Sequence, residues 1–376
     1  MKLNIGGYKW LYYDGYGRFS RGFAQQLIRA GHGVYPFELD TLDDKPAWYL
    51  RAQGLDFSHV TLQISPPNEF RHVPGRSVAW SMHESCTLPP GWADSVNQKS
   101  TLLLVPSPWL IEVFEDAGVK VPIEVVPGGI DPEETPILGQ RHNQPYTFMA
   151  LADRGNRKGY DLVWSAFYKA FPHDNKDVRL LIKCRPGSLP NLDFSYSPDD
   201  RFTVWRADVE HIADVYSQTD AYICPARCEG YGMSQREAAA CGIPTVVTRF
   251  SGTADDCDEW AIPIERFTLV ESGMRGSGGL WAEPSLDEVV EKMRWLYLNQ
   301  DEAKANALKA AQWLRDNHTY KIAADKLIAV LGKHLGAPHQ PEPPVNTDTP
   351  EHRARNEQAL TALRSNGHKT PAEVNF

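Results

Sequence analysis

An α/β fold in two halves, each built on a parallel sheet, is predicted by three observations. Short apolar runs alternate with helix-period segments through both halves of the chain, which implies parallel strands joined by right-handed crossovers. A Pro-, Gln- and Asn-rich interval over 131–145 divides that alternation in two. At 376 residues, with 42% hydrophobic and 11% aromatic content, the chain is globular and long enough for two domains of ordinary size.

The elements follow in order. A strand is expected at 3–6, then a loop at Gly15, Tyr16 and Gly17. Phe19, Phe23 and Leu27 fall at i, i+4 and i+8, one face of a helix that Gly31-His32-Gly33 ends. Further strands are expected at 34–37, 59–64, 77–81 and 101–106. The second half offers strands at 147–151, 178–184, 202–205, 221–225 and 244–248, with a helix after Lys158. Residues 285–300 and 302–331 are amphipathic helix sequence. Residues 336–350 hold five prolines and read as an extended linker. A short helix over 351–364, with Thr349 as cap and Pro350 at its first position, then leads into the tail.

Composition bounds the partners. A net charge of −9 argues against a surface that grips polyphosphate throughout, while leaving room for a local basic cleft. The six cysteines form no CxxC and no regular framework, so they read as reduced core residues rather than disulfides or zinc ligands. The start MKLNIGGYKW lacks a basic region followed by an apolar core, and no run of about 18 apolar residues exists to span a membrane. A cytoplasmic location is expected.

The chemistry concentrates in CEGYGMSQREAAACGIP, residues 228–244, where seven residues separate Glu229 from Glu237. The preceding DAYICPA reads as a buried strand. Gly230 and Gly232 let the backbone turn close to a ligand, Ser234 is a fair N-cap, and 235–240 is strong helix sequence. The first turn of such a helix is an anion site. The two carboxylates suit neutral hydroxyls rather than phosphate, each charge-assisted bond being worth roughly 1.5–3 kcal/mol. A diphosphate beside hydroxyls describes a nucleotide sugar. The plain structural alternative is a strand–turn–helix in which Glu237 completes a capping box with Ser234. Arg154 and Lys158, four residues apart, supply cations that a departing diphosphate needs. Arg157 is a rival cation.

Residues 228–244 resemble the E-x7-E donor motif of family 4 glycosyltransferases. SPWLIEVFEDAGVKVPIEVVPGGID (107–131), RGNRKGYDLVWSAFYKAF (154–171) and DGYGRFSRGFAQQLIRAGHGV (14–34) resemble other segments of that family, in its order. The resemblance runs over about 6–324. It implies the GT-B fold, two Rossmann-like domains with a deep cleft between them. An N-terminal acceptor-side domain would span 1–138 and a nucleotide-sugar domain 145–315. Helices over 316–335 would cross back to the first domain, with a linker and tail at 336–376.

The resemblance further implies a retaining, metal-independent transferase with no cofactor beyond its donor substrate, a UDP- or GDP-linked sugar. Glu229 would meet sugar hydroxyls and Glu237 the ribose. Amides around Gly230, Tyr231, Gly232 and Met233 would meet phosphate, with Arg154 and Lys158 on the diphosphate. Val209 and its surroundings would lie by the base. Gly15, Tyr16 and Gly17 would face the donor phosphates across the cleft. His83, then Glu84, is the candidate to face the anomeric carbon, completing a catalytic set of His83, Glu84, Arg154, Lys158 and Glu229. The expected acceptor is a saccharide or lipid-linked saccharide. The alternatives are hydroxymethylated bases in DNA, a sugar-nucleotide epimerase, and a non-catalytic module that binds a nucleotide sugar.

Overall fold

The computed structural model describes residues 1–8, 10, 15–39, 54–139, 145–152, 156–186, 199–209, 211–274 and 276–335. Two six-stranded parallel sheets organise them. The first has the order β2-β1-β3-β4-β5-β6. Its strands are β1 Lys2–Gly7, β2 Gly33–Glu38, β3 Val60–Ile64, β4 Ser77–Trp80, β5 Leu102–Val105 and β6 Ile123–Val125. The second has the order β12-β11-β10-β7-β8-β9. It comprises β7 Tyr146–Leu151, β8 Val178–Cys184, β9 Phe202–Arg206, β10 Ala221–Cys224, β11 Thr245–Thr248 and β12 Ile262–Ile264. An antiparallel hairpin follows, β13 Phe267–Glu271 and β14 Leu280–Pro284.

Helices cover both faces of each sheet, so the central strands are buried throughout rather than alternately. VTLQI in β3 and LLLV in β5 have no exposed residue, the pattern of parallel strands covered on both faces. The first core centres on Trp80, whose ring lies 4.6 Å from that of Phe19 and whose indole N–H donates to the Val126 carbonyl at 2.9 Å. The helix Gly15–Arg29 thus lies over the sheet as the Phe19, Phe23, Leu27 spacing predicts. Its start differs from expectation: Gly15, Tyr16 and Gly17 already form its first turn rather than a loop.

Three further differences have local causes. Strands β6 and β12 hold three residues each, too few to carry a period. The strand expected at 221–225 stops at Cys224, before a proline that cannot donate to a ladder. Residues 302–331 fall in two helices, Gln300–Asn317 and Tyr320–Leu335, separated at His318 and Thr319.

That break is where the chain crosses between the sheets for the second time. Ile130, on the outward crossing, pairs with Thr319: its N–H donates to the His318 carbonyl at 2.8 Å, and Tyr320 N–H donates to the Ile130 carbonyl at 3.1 Å. Helix Tyr320–Leu335 then packs against Gly15–Arg29, adding Tyr320, Ala323, Leu327 and Leu331 to the first core. Lys333 and His334 both bond Glu124 at the helix end.

Tyr320 therefore ties the crossing to the first core, with its ring against Phe19 and Phe23. We expect Tyr320→Ala to lower stability in urea titration by roughly 3–5 kcal/mol, the cost of emptying a buried aromatic site, and Tyr320→Phe to cost about 1 kcal/mol or less.

Candidate functional site

The second sheet reverses its strand order between β7 and β10, and a crevice opens beyond the carboxyl ends of strands at such a reversal. The turn Asn156–Lys158 follows β7, and residues 225–232 follow β10, so the two segments meet there. The helix Met233–Ala240 then begins. Its N-cap is Gly232, in the left-handed region at φ 79°, and no side chain caps it. The expected Ser234 cap, and with it the Ser234–Glu237 capping box, is absent: Ser234 Oγ instead bonds Gln235.

Glu229 is the centre of this crevice. Its amide donates to Ser251 Oγ at 2.9 Å, and its carbonyl accepts from Gly252 N–H at 2.8 Å, so the backbone is fixed. Lys158 Nζ lies 2.6 Å from Oε1, and Arg157 Nη1 lies 3.1 Å from Oε2. Only 7% of the Glu229 side chain is exposed. Burial pushes its carboxyl up, but Arg157 and Lys158 more than offset that and bring it down to about 2. Arg157, the rival cation, is thus a member of the site, and also donates to the Cys228 carbonyl at 2.8 Å. Arg154 lies outside the described residues. Arg227 braces the turn through a bidentate pair with Asp161, and its N–H donates to the Arg157 carbonyl.

Glu237 lies one to two turns into the helix, almost fully buried, and faces the other sheet. Arg18, from helix Gly15–Arg29, holds it through two contacts, Nη1 to Oε2 at 3.0 Å and Nη2 to Oε1. Glu134 lies 3.8 Å from the same guanidinium. Burial raises the Glu237 carboxyl above its ordinary range, and Arg18 opposes that rise. Arg18 escaped the sequence reading although it sits in the quoted glycine segment.

The side chains of two residues whose amides are expected to meet phosphate pack at the domain junction. The Tyr231 hydroxyl donates to the Gly128 carbonyl at 2.9 Å and its ring meets Phe19. Met233 packs on the first core, with the Tyr320 hydroxyl 3.9 Å from its sulfur. Behind them Arg236 stacks on Tyr231 and Trp260 and pairs with Asp256, which also holds His318 and the Trp260 N–H. This knot pins the second crossing. Gly230 turns its carbonyl to Ser107 Oγ at 3.1 Å, a bond between the two halves. Val209 packs on the face of the second sheet with Tyr216 and Tyr222.

On the first sheet's side, the Tyr16 hydroxyl donates to the Met82 carbonyl at 2.8 Å and accepts from Met82 N–H, which fixes the chain beside His83. Gly15 and Gly17 share that helical turn. His83 is 1% exposed, with its ring 5.0 Å from Trp92. Its Nε2 lies 3.0 Å from the Thr87 carbonyl, so Nε2 carries the proton and Nδ1 is left as an acceptor. Nδ1 has no partner. Burial lowers the His83 pKa, against Glu84, and favours the neutral ring. Glu84, more open, lies 3.9 Å from Arg157.

The arrangement gathers two cations, a helix N-terminus and two carboxylates from one sheet opposite a neutral histidine from the other. A family model described as family 4 glycosyltransferase in conflict systems matches residues 109–327, more than half of the chain. No curated protein matches the sequence. The fold is similar to that of sucrose-phosphate synthase from Thermosynechococcus elongatus, with TM-score 0.68 at 12% identity over 89% of this chain and 98% of that one. It is similar to HepE of Anabaena, solved with UDP and glucose, with TM-score 0.63 at 12% identity over 89% and 100%. WaaG, a glycosyltransferase involved in lipopolysaccharide biosynthesis, aligns with TM-score 0.61 at 15% identity over 88% and 100%. The architecture is the GT-B fold.

The Glu229 pairing has a pH signature. Its carboxyl is depressed on folding from 4.5 to about 2, so its stabilisation is complete above the ordinary carboxyl range and is lost progressively as pH falls from there through about 2. That contribution is roughly 3 kcal/mol. In denaturation curves between pH 7 and pH 2, Arg157→Gln is expected to be less stable at neutral pH and to lose less on acidification. Parallel curves for the two proteins would contradict the pairing.

Proposed function

We infer the reaction from one premise: the chain belongs to the family 4 glycosyltransferases in conflict systems. It takes a nucleotide-diphosphate sugar as donor and passes the sugar to an acceptor hydroxyl. The observation that carries this reading is the meeting of Arg157 and Lys158 with Glu229 at the strand-order reversal, beside the Met233–Ala240 N-terminus.

These cations neutralise Glu229. A donor diphosphate is a stronger partner for them, since it brings two charged groups to the same place. Their transfer to the diphosphate frees the Glu229 carboxylate to accept sugar hydroxyls. As the bond between the anomeric carbon and the diphosphate oxygen breaks, charge grows on the leaving oxygen, where Lys158, Arg157 and the helix amides stabilise it. Family resemblance adds Arg154 to this group and assigns retention of the anomeric configuration without a metal. Glu237 takes the ribose hydroxyls, in exchange for part of its contact with Arg18. Tyr16, on the same side as His83, supports it through Met82, and the His83 Nδ1 lone pair accepts a hydroxyl hydrogen.

UDP is the favoured nucleotide, because HepE was solved with UDP and with UDP-glucose. A saccharide or lipid-linked saccharide is the favoured acceptor. A cytoplasmic setting agrees with the six free thiols, and no described helix is long and apolar enough to cross a membrane. The alternative acceptor is hydroxymethylated bases in DNA, as some phage glycosyltransferases use. Charge works against it: residues 1–139 carry 11 Lys and Arg against 16 Asp and Glu.

Binding and hydrolysis across UDP-, GDP-, ADP- and CMP-sugars test the reading. One diphosphate sugar is expected to bind, while the CMP-sugar, a monophosphate, does not. Lys158→Ala and Glu237→Ala are each expected to weaken that binding by about tenfold or more. A folded protein that binds none of the panel would contradict it.

A further inference from the structure

The β13–β14 hairpin follows the second sheet in sequence, yet its tip is bonded to the loop that follows His83 on the first. Ser85 Oγ donates to the Gly278 carbonyl at 2.7 Å, and the Trp281 indole N–H donates to the Glu84 carbonyl at 2.8 Å. Leu280 N–H meets Cys86 Sγ at 3.0 Å. The approach is close enough that Gly279, at φ 86°, has no room for a side chain: a Cβ there would lie 2.5 Å from Ser85 Oγ and 3.0 Å from Thr87 N.

The hairpin is equally fixed at its root. Ala282 N–H donates to the Arg227 carbonyl at 3.0 Å, and the Arg227 guanidinium holds Glu283 in a bidentate pair. Arg227 stands two residues before Glu229. One rigid ribbon therefore runs from the donor crevice to residues 84–87. Those residues close on His83, because the Thr87 carbonyl sets which ring nitrogen carries the proton.

We propose that this hairpin is a positioning element of the transfer reaction, in which Trp281 and Gly279 hold residues 84–87 and, through the Thr87 carbonyl, the orientation and tautomer of the His83 ring. It does so only while the two domains are together, so acceptor-side chemistry is assembled by closure and not before it. The proposal rests on the reading of the cleft given above. Neither residue touches substrate in this account. Both act through His83.

Cys86 supplies a readout independent of turnover, because it alone of the six cysteines is not buried and its sulfur accepts the hairpin's Leu280 N–H. The experiment compares the full chain with Trp281→Phe, Gly279→Ala, His83→Asn and the His83→Asn/Trp281→Phe double variant. Three quantities are measured: iodoacetamide alkylation of Cys86, affinity for the nucleotide sugar that binds in the panel, and its turnover. Trp281→Phe keeps the aromatic ring and removes the donor, so it stays informative if Gly279→Ala fails to fold. Either hairpin variant is expected to speed Cys86 alkylation about fivefold or more, to leave nucleotide affinity within about twofold, and to lower kcat about tenfold or more. The double variant is expected to lose no more turnover than His83→Asn alone.

Additive losses in the double variant would overturn the proposal, as would hairpin variants with unchanged alkylation and turnover. A silent His83→Asn, or a protein that binds no nucleotide sugar, would overturn the reading of the cleft, and the proposal with it.

Discussion

A buried carboxylate must find a cation, and this protein places two such carboxylates between β10 and β11 of its second sheet, on the turn and helix that face the first. Glu229 and Glu237 are both almost fully removed from water. The cost of leaving either unpaired is several kcal/mol. Glu229 draws its cations from the turn after β7, which closes the strand-order reversal of the second sheet. Glu237 draws its cation from helix Gly15–Arg29 of the other half, which holds the two halves together. One requirement of electrostatics therefore fixes both the crevice and the contact between domains. Any ligand that enters must offer these groups partners at least as good.

Much of the fold was legible in the sequence. Alternating strand and helix signals, with the linker interval, located nearly all the long strands, because strands buried on both faces read as unbroken apolar runs. What escaped was short or tertiary. IEV and IPI are too brief for a period. The break at His318 and Thr319 depends on the pairing with Ile130, which no local pattern announces.

The site divides along the same line. Glu229 and Lys158 were legible because spacing and residue type sufficed. Arg157 was visible as a rival, and geometry makes it a partner. Arg18 and Asp256 were not legible, since their roles come from partners more than two hundred residues away for Arg18 and from a knot around the second crossing for Asp256. Tyr231 and Met233 sit in the motif, but their side chains face the first core, so the motif also packs the two halves together. His83 is buried with one unpartnered nitrogen, which residue type alone does not reveal.

Hydrogen exchange with and without the nucleotide sugar that binds tests the central claim most directly. Slowed exchange is expected in 156–159 and 229–236, the two segments that meet around Glu229, with a weaker effect at 83–87 through closure. Protection confined to other regions, or absent at saturating nucleotide sugar, would mean that the donor does not bind at Glu229.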